Sequence, residues 1–344
     1  MSTALALQHE PPLVDLLDEQ FGKQALAELL DLPPNQVPWE LWADALHGPL
    51  RDLLSRPGKE FRARLVDAAW RLAGQHAAPP RELTLLVEAL HAGSLIIDDI
   101  QDGSAYRRGA PALHVGYGLP RALNAGNWLY FWSEQLAGRC GLAPHVELAV
   151  RRLMTRTLVQ CHHGQGLDLT VRVAELPKDA VPGVVRATTQ LKTGALMQLA
   201  AELGAVAAGA RPEVASAIGR FGRELGVGLQ MLDDLGGLVS ERLCHKGHED
   251  LVLGRPTWAW AWAAERADSL RYRALLAAAR KVQAGALHPE ALAEQLRAEI
   301  AELGTRRVHE HLERAFHELE AVVGSSPALG FVRHEIERLE RSHV

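Results

Sequence analysis

Apolar residues recur at i, i+3, i+4 and i+7 along most of the chain, the period of an amphipathic helix. Residues 14–32, "VDLLDEQFGKQALAELLDL", carry it up to the proline-rich turn "PPNQVP". Two further runs cover residues 39–54 and 55–74, the second closed by Gly74. Pro79 and Pro80 precede "RELTLLVEALHAGSLIIDDIQD", residues 81–102, which is apolar on nearly every side and therefore predicts a helix inside the protein. Helical runs follow over residues 119–138, 144–164, 179–208, 212–239, 257–282 and 288–324, with a last amphipathic helix in "LGFVRHEIERLERSH". The segment "TWAWAWAA" alternates at the strand period. It is short, sits in an alanine-rich run and puts Trp258 and Trp262 at i, i+4, so it is read as helix. No internal repeat, low-complexity tract or linker interrupts the pattern. The expectation is an all-α protein: a large single-domain helical bundle over residues 1–344, around a central apolar cavity.

Composition narrows the partners. A net charge of −5 gives no electrostatic reason to expect nucleic acid or an anionic membrane. Cys140, Cys161 and Cys244 form no CxxC pair, so neither a disulfide framework nor a zinc site is expected, and a reducing cytoplasm is the natural compartment. The start, "MSTALALQHEPP", lacks the basic opening and long apolar core of a signal peptide. No apolar run approaches the ~18 to 20 residues of a membrane span, so no transmembrane segment is expected.

The chemistry concentrates in a few stretches. In "LIIDDIQDGSAYRRG", Asp98 and Asp102 lie one helical turn apart with Asp99 alongside. Such carboxylates repel one another unless a cation offsets them, and oxygen-only ligands suit Mg²⁺ bridging to phosphate. Arg107 and Arg108 follow within two turns, and guanidinium forks match phosphate oxygens. A second pair, Asp233 and Asp234, follows Gln230 in "GLQMLDDL". An isolated pair of this kind is most often a cap or a solvated face. A distant acidic partner segment makes it a candidate second half of a metal site. Basic and polar candidates are Lys59 and Arg62 on one helix face, His91 two turns before Asp98, and Lys192 with Thr193 in an apolar run. Each alone reads as a surface cation or a core histidine; together they could form two anion sites.

The pieces "PGKEFRARL", "HAGSLIIDDIQDGSAYRRGAPALHVGYGLPRALNAGNWLYF", "HHGQGLDL", "LKTGALM", "GLQMLDDL" and "EDLVLGRPTW" run in order from about residue 57 to 258. In these pieces the chain resembles the all-trans isoprenyl diphosphate synthases, and more narrowly the short-chain geranylgeranyl diphosphate synthases of the eukaryotic type. The resemblance implies that Asp98, Asp99 and Asp102, with Asp233 and Asp234, bind Mg²⁺, three ions once substrate is present. It implies that Arg107, Lys192, Lys246 and Arg255 contact an allylic prenyl diphosphate. Lys59, Arg62, His91 and Arg108 would cradle isopentenyl diphosphate. Thr193 and Gln230 would steady the carbocation, and Gln165 and Asp168 would support metal waters and Lys192. A homodimer is implied on the same ground.

On the same reading Gly93 and Ser94 look down a product tunnel, with Trp128, Tyr130, Phe131 and Trp132 as candidates for its floor. Ordinary core packing is an equal alternative for those aromatics. Two features depart from the family. The fifth position of the second acidic motif is Gly237, which loses a metal-side carboxylate that Glu241 could replace through water. Glu60 stands between Lys59 and Arg62, where a basic or neutral residue is common. A terpene cyclase, a prenyltransferase to another acceptor and a non-catalytic partner subunit therefore stay open beside chain elongation.

Overall fold

The structure, a computed structural model, describes residues 12–36, 38–58, 60–240 and 243–343; Lys59 and Glu241 lie outside the described residues. The described chain is almost entirely helical, as the period predicts. It forms two compact units, residues 1–64 with 80–143 and residues 65–79 with 144–344, so neither is contiguous in sequence.

The first unit contains α1 (Pro12–Gln20), α2 (Lys23–Leu30), α3 (Trp39–Trp42), α4 (Gly48–Ser55), the start of α5 (Phe61–Leu72) and α6 (Arg81–Asp102). A short hairpin follows, β1 (Tyr106–Arg107) against β2 (Ala110–Pro111), then α7 (Leu113–Gly116) and α8 (Leu119–Arg139). Its core is the pairing of α6 with α8, from Leu83, Leu86 and Leu90 on one helix to Ala122, Ala125 and Leu129 on the other. The pairing is close because glycines face it. A Cβ on Gly93 would lie 2.9 Å from the carbonyl oxygen of Gly126.

Of the tunnel candidates, Gly93 packs against α8, and Ser94 donates its hydroxyl to the His91 carbonyl one turn earlier at 2.8 Å. Trp128 is wedged between Phe21 and Trp132, at ring separations of 5.4 and 5.2 Å. Phe131 is 74% exposed.

The second unit holds the rest of α5, then α9 (Pro144–Thr170), α10 (Val181–Thr189), a π-helical turn (Gln190–Gly194) and α11 (Ala195–Ala207). After these come α12 (Pro212–Val239), α13 (Cys244–Leu253), α14 (Trp258–Arg266), α15 (Ser269–Gln283), α16 (Pro289–Val323) and α17 (Pro327–His343). Helix α12 is packed between α11 and α16 and is buried along most of its length. The tryptophan segment is helical, and Trp258, Trp260 and Trp262 are all buried. The predicted run over residues 257–282 splits because the Asp268 carboxylate accepts the Leu270 and Arg271 amides at 2.9 and 2.8 Å and starts a new helix.

Gly93→Ala should lower stability by about 1–3 kcal/mol, since the added methyl meets backbone that cannot yield easily. Urea unfolding of the full chain measures it; an unchanged midpoint would show that α6 and α8 can separate freely.

Candidate active site

The first acidic motif closes α6. Gly103, at φ 67°, ends the helix, and the chain returns through the hairpin, whose two loop residues Arg108 (φ 53°) and Gly109 (φ 79°) are both left-handed. That is a type I′ turn, so "RRG" is first of all a hairpin. It brings Arg107 back over the helix end, where its Nε donates to both oxygens of Asp99 at 2.8 and 3.1 Å and its Nη2 makes a further contact. Asp99 is only 2% exposed, with its carboxylate committed to Arg107. Asp98 and Asp102 are half-buried at the same helix end.

Behind the hairpin lies a cationic cluster. Arg56, which the sequence reading passed over, is 8% exposed, pairs with Asp52 and donates to the Arg107 carbonyl at 2.9 Å. The Arg108 guanidinium lies against the backbone at Gly58, where a Cβ would come within 3.3 Å of it. His91 is surrounded by Arg62, Arg108 and Arg107; burial first, then these charges, hold its pKa well below the usual value. These surroundings disfavour the imidazolium relative to the neutral ring. Burial and Glu88 push the Glu60 carboxyl up, while Arg64 and Arg108 oppose them. Glu88 also accepts the Ala63 amide at 3.0 Å.

In the second unit, glycine contacts set the positions. A Cβ on Gly164 of α9 would sit 2.8 Å from the Lys192 amide in the π-helical turn. This contact lets Asp168, one turn further along α9, accept Lys192 Nζ at 2.8 Å. A Cβ on Gly226 of α12 would lie 2.9 Å from Gly194 Cα. One turn on from it, Gln230 Oε1 accepts the Thr193 hydroxyl at 2.9 Å. The π turn thus presents Lys192 to one helix and Thr193 to another, a use typical of such bulges. Gln165 lies on α9 three residues before Asp168.

Asp233 and Asp234 differ in surroundings. Asp234 accepts Gln230 Nε2 on Oδ1 and the Trp258 backbone amide on Oδ2, both at 2.8 Å. It therefore caps α14. Helix α13, absent from the sequence prediction, brings Asp250 and Lys246 to the same place. Asp233, Asp234, Lys246, Asp250 and Thr257 line one pocket with about 10 Å³ of free volume, the size of one water. Asp250 had no role in the sequence reading, although its i, i+4 spacing from Lys246 was visible. Arg255 lies 3.4 Å from Asp250 and 3.8 Å from Asp168.

Burial pushes the Asp234 carboxyl up to about 7, with the Trp258 amide and Gln230 pulling it back and Asp250 adding to the rise. Burial likewise pushes Asp250 up to about 6, against Lys246 and Arg255 and with Asp168 and Glu249. Oxygen-only donors in such crowding fit a hard divalent cation. Among the described residues no three acidic, histidine or cysteine side chains form a ready cage, so an ion there would draw further oxygens from water and substrate.

Gly237 is not an empty ligand position. A Cβ there would meet Gly247 Cα at 3.1 Å, and one on Gly247 would meet the Gly237 carbonyl oxygen at 2.2 Å. Helix α13 occupies the space that an aspartate would need. Gly237→Asp should thus lower the melting temperature without lowering the Mg²⁺ requirement; a stable variant active at lower Mg²⁺ would show that α13 moves aside.

The raised carboxyls set a pH dependence. Asp234 and Asp250 start from 3.8 in the unfolded chain and rise to about 7 and about 6 in the fold, so the native state binds more protons between these values. Their contribution is fully present below the unfolded value and is lost as pH rises through the folded ones. Metal-free protein should melt at progressively lower temperature from pH 5 to 7.5, and Asp250→Asn should flatten that slope. Parallel slopes for both proteins in EDTA would exclude this origin.

Comparison with known proteins places this geometry. The family model described as "Polyprenyl synthetase" matches residues 43–294. A geranylgeranyl pyrophosphate synthase of Penicillium janthinellum is 32% identical over 230 residues, 64% of this chain and 56% of the relative. One from Penicillium crustosum is 32% identical over 248 residues, 69% of this chain and 68% of the relative. The chain thus spans about 56% to 68% of the length of these two relatives. A polyprenyl synthase structure from Caulobacter crescentus, complexed with calcium and isoprenyl diphosphate, superposes with a TM-score of 0.68 at 22% identity, covering 96% of each chain. It shares the all-α fold. With most of its length matched and its acidic, basic and glycine positions built into that fold, the chain belongs to the polyprenyl synthetase family.

Proposed function

We propose that the protein is a trans-prenyltransferase. It condenses an allylic prenyl diphosphate with isopentenyl diphosphate to a longer all-trans prenyl diphosphate, geranylgeranyl diphosphate as the first candidate. Family membership supports the reaction class. The observation that carries elongation is the cluster of Arg62, Arg108 and Arg107 around His91, which supports an anion site built from residues other than the metal-side carboxylates. A cyclase, which ionises one diphosphate without a second, has no use for it.

In this reading Asp98, Asp102 and Asp233 hold Mg²⁺, three ions with substrate bound, and Asp250 adds a carboxylate at the Asp233 pocket. Mg²⁺, when bound, neutralises the diphosphate and stabilises it as a leaving group. Arg107, Lys192 and Arg255 present donors to the allylic diphosphate, with Lys246 beside them. Arg62 and Arg108, with Lys59 and His91, hold isopentenyl diphosphate. The allylic C–O bond breaks, and the electron pair leaves with diphosphate. The isopentenyl double bond attacks the allylic carbon, forming the new C–C bond, and a proton passes from the condensed cation to the released diphosphate. Thr193 and Gln230 place oxygen dipoles beside the positive carbon. Gln165 and Asp168 support metal waters and Lys192.

We further propose a cytoplasmic homodimer. The exposed stripe of Leu119, Leu123 and Phe131 on α8 supports self-association. No helix among the described residues is long and apolar enough to cross a membrane.

Purified protein incubated with Mg²⁺, labelled isopentenyl diphosphate and each allylic primer should place label in a longer prenol. A hydrocarbon made from primer alone would instead indicate a cyclase, and no turnover a partner subunit. Asp102→Ala should reduce elongation roughly a hundredfold or more; near wild-type rates would remove Asp102 from the metal set.

A further inference from the structure

Asp234 stands in the middle of a hydrogen-bond chain that can run in one direction. Burial raises the Asp234 carboxyl to about 7, and above that pH, ionised, it only accepts. Trp258 donates its backbone amide to one Asp234 oxygen, and Gln230 Nε2 donates to the other. In that ionised form the Gln230 amide is oriented with its nitrogen toward Asp234 and Oε1 away from it. Oε1 in turn receives the Thr193 hydroxyl. The single Thr193 proton is committed to this bond, which turns the hydroxyl lone pairs to its other side.

We propose that Asp234 is a positioning residue rather than a metal ligand: it fixes the polarity of the Thr193–Gln230 pair so that both offer oxygen lone pairs to the carbon that becomes positive. The proposal rests on the prenyltransferase reading. Each Asp234 oxygen already holds an N–H donor, and one of these is the first amide of α14, which has no partner within its own helix. Asp233, the next residue round the helix, is directed about 100° away, and both aspartates border the Lys246–Asp250 pocket.

Reversing one amide tests the direction. In Asp234→Asn the new oxygen serves the Trp258 amide, as asparagine does well at a helix N-terminus. Its NH₂ then faces Gln230, whose amide must flip, and Thr193 must turn its proton outward. The turnover number should fall roughly tenfold to a hundredfold, with KM for both diphosphates and the Mg²⁺ concentration for half-maximal rate within about threefold of wild type. The double variant Asp234→Asn with Gln230→Glu restores the direction, since the introduced asparagine donates to one oxygen of the introduced glutamate and Thr193 donates to the other. It should recover most of the lost turnover, whereas Gln230→Glu alone sets two carboxylates together and should not.

A second readout needs no activity. In EDTA, Asp234→Asn should lower the melting temperature and the double variant should restore it. Calorimetric titration of Mn²⁺ with inorganic diphosphate should give the same stoichiometry for wild type and Asp234→Asn. A lost ion, or turnover rescued by high Mg²⁺, would make Asp234 a ligand and overturn the proposal. So would wild-type turnover in Asp234→Asn, or a double variant no better than the single one in both rate and melting. If Asp234→Asn is too unstable to assay, the double variant alone decides: folded and active, it supports the chain; unfolded, it refutes it. Wild-type protein without elongation would fail the functional reading, while the melting pair would still judge the hydrogen-bond chain.

Discussion

Adjacent residues on a helix point about 100° apart, so two neighbouring aspartates meet different surroundings even where, as with Asp233 and Asp234, both border one pocket. One turns into the protein, where it is costly unless donors meet it. The rest of the candidate site depends on how that constraint is met. At Asp99 it is met by Arg107, which arrives only because the chain reverses in a two-residue loop with positive φ at Arg108 and Gly109. At Asp234 it is met by a backbone amide at the start of α14 and by a glutamine one turn earlier. In each pair the second aspartate is held by a donor from an element that follows it in the chain. The hairpin after α6 and the placing of α14 beside α12 both follow.

The second recurring constraint is the distance between helix axes. Side chains as short as aspartate and threonine can bond across two helices only where the backbones approach closely. Gly164 and Gly226 provide that approach against the π turn, and each is followed one turn later by the residue that makes the bond, Asp168 and Gln230. The glycine in "GQGLDL" and the one in "LGVGLQ" are thus as much part of the site as the polar residues beside them. The Gly237–Gly247 contact works the same way, bringing α13 close enough for Asp250 to join Asp233 and Asp234 in one pocket.

Helix period made most of the fold legible, including the tryptophan segment, because a 3.6-residue apolar stripe is a direct consequence of packing on one face. What it hid were features set by other forces. Helix α13 is short and polar, with no stripe to read, and is held in place by its glycine contact with α12. The π turn keeps the apolar pattern of the helices it interrupts. "RRG" carried a hairpin signal, a two-residue loop ending in glycine, that its resemblance to a phosphate fork concealed. Gly93 was read from its spacing to Asp98, yet a helix has several faces and spacing does not say which one meets a neighbour. For His91 the sequence named the residue but not the burial and the three neighbouring arginines that lower its pKa, which only the fold brings together.

The cations of the second unit are held by carboxylates before any diphosphate arrives. Lys192 is on Asp168, and Arg255 is between Asp168 and Asp250. Asp168, Asp233, Asp234 and Asp250 face Lys192, Lys246 and Arg255, so with every group ionised this set carries an excess of negative charge. A diphosphate approaching it alone meets repulsion, and on the proposed function a divalent cation must accompany or precede it. The same ion pairs keep long side chains from wandering, which lowers the entropy lost when they turn to the substrate. An arginine need not release its partner to do so. Its guanidinium has five donors, and Arg107 meets Asp99 through Nε and Nη2. The opposite edge of the fork can address a phosphate while Asp99 still holds the group in position. Pairing in the resting protein and binding of the diphosphate are therefore compatible uses of one side chain, which explains why so charged a site can be assembled before its ligand is present.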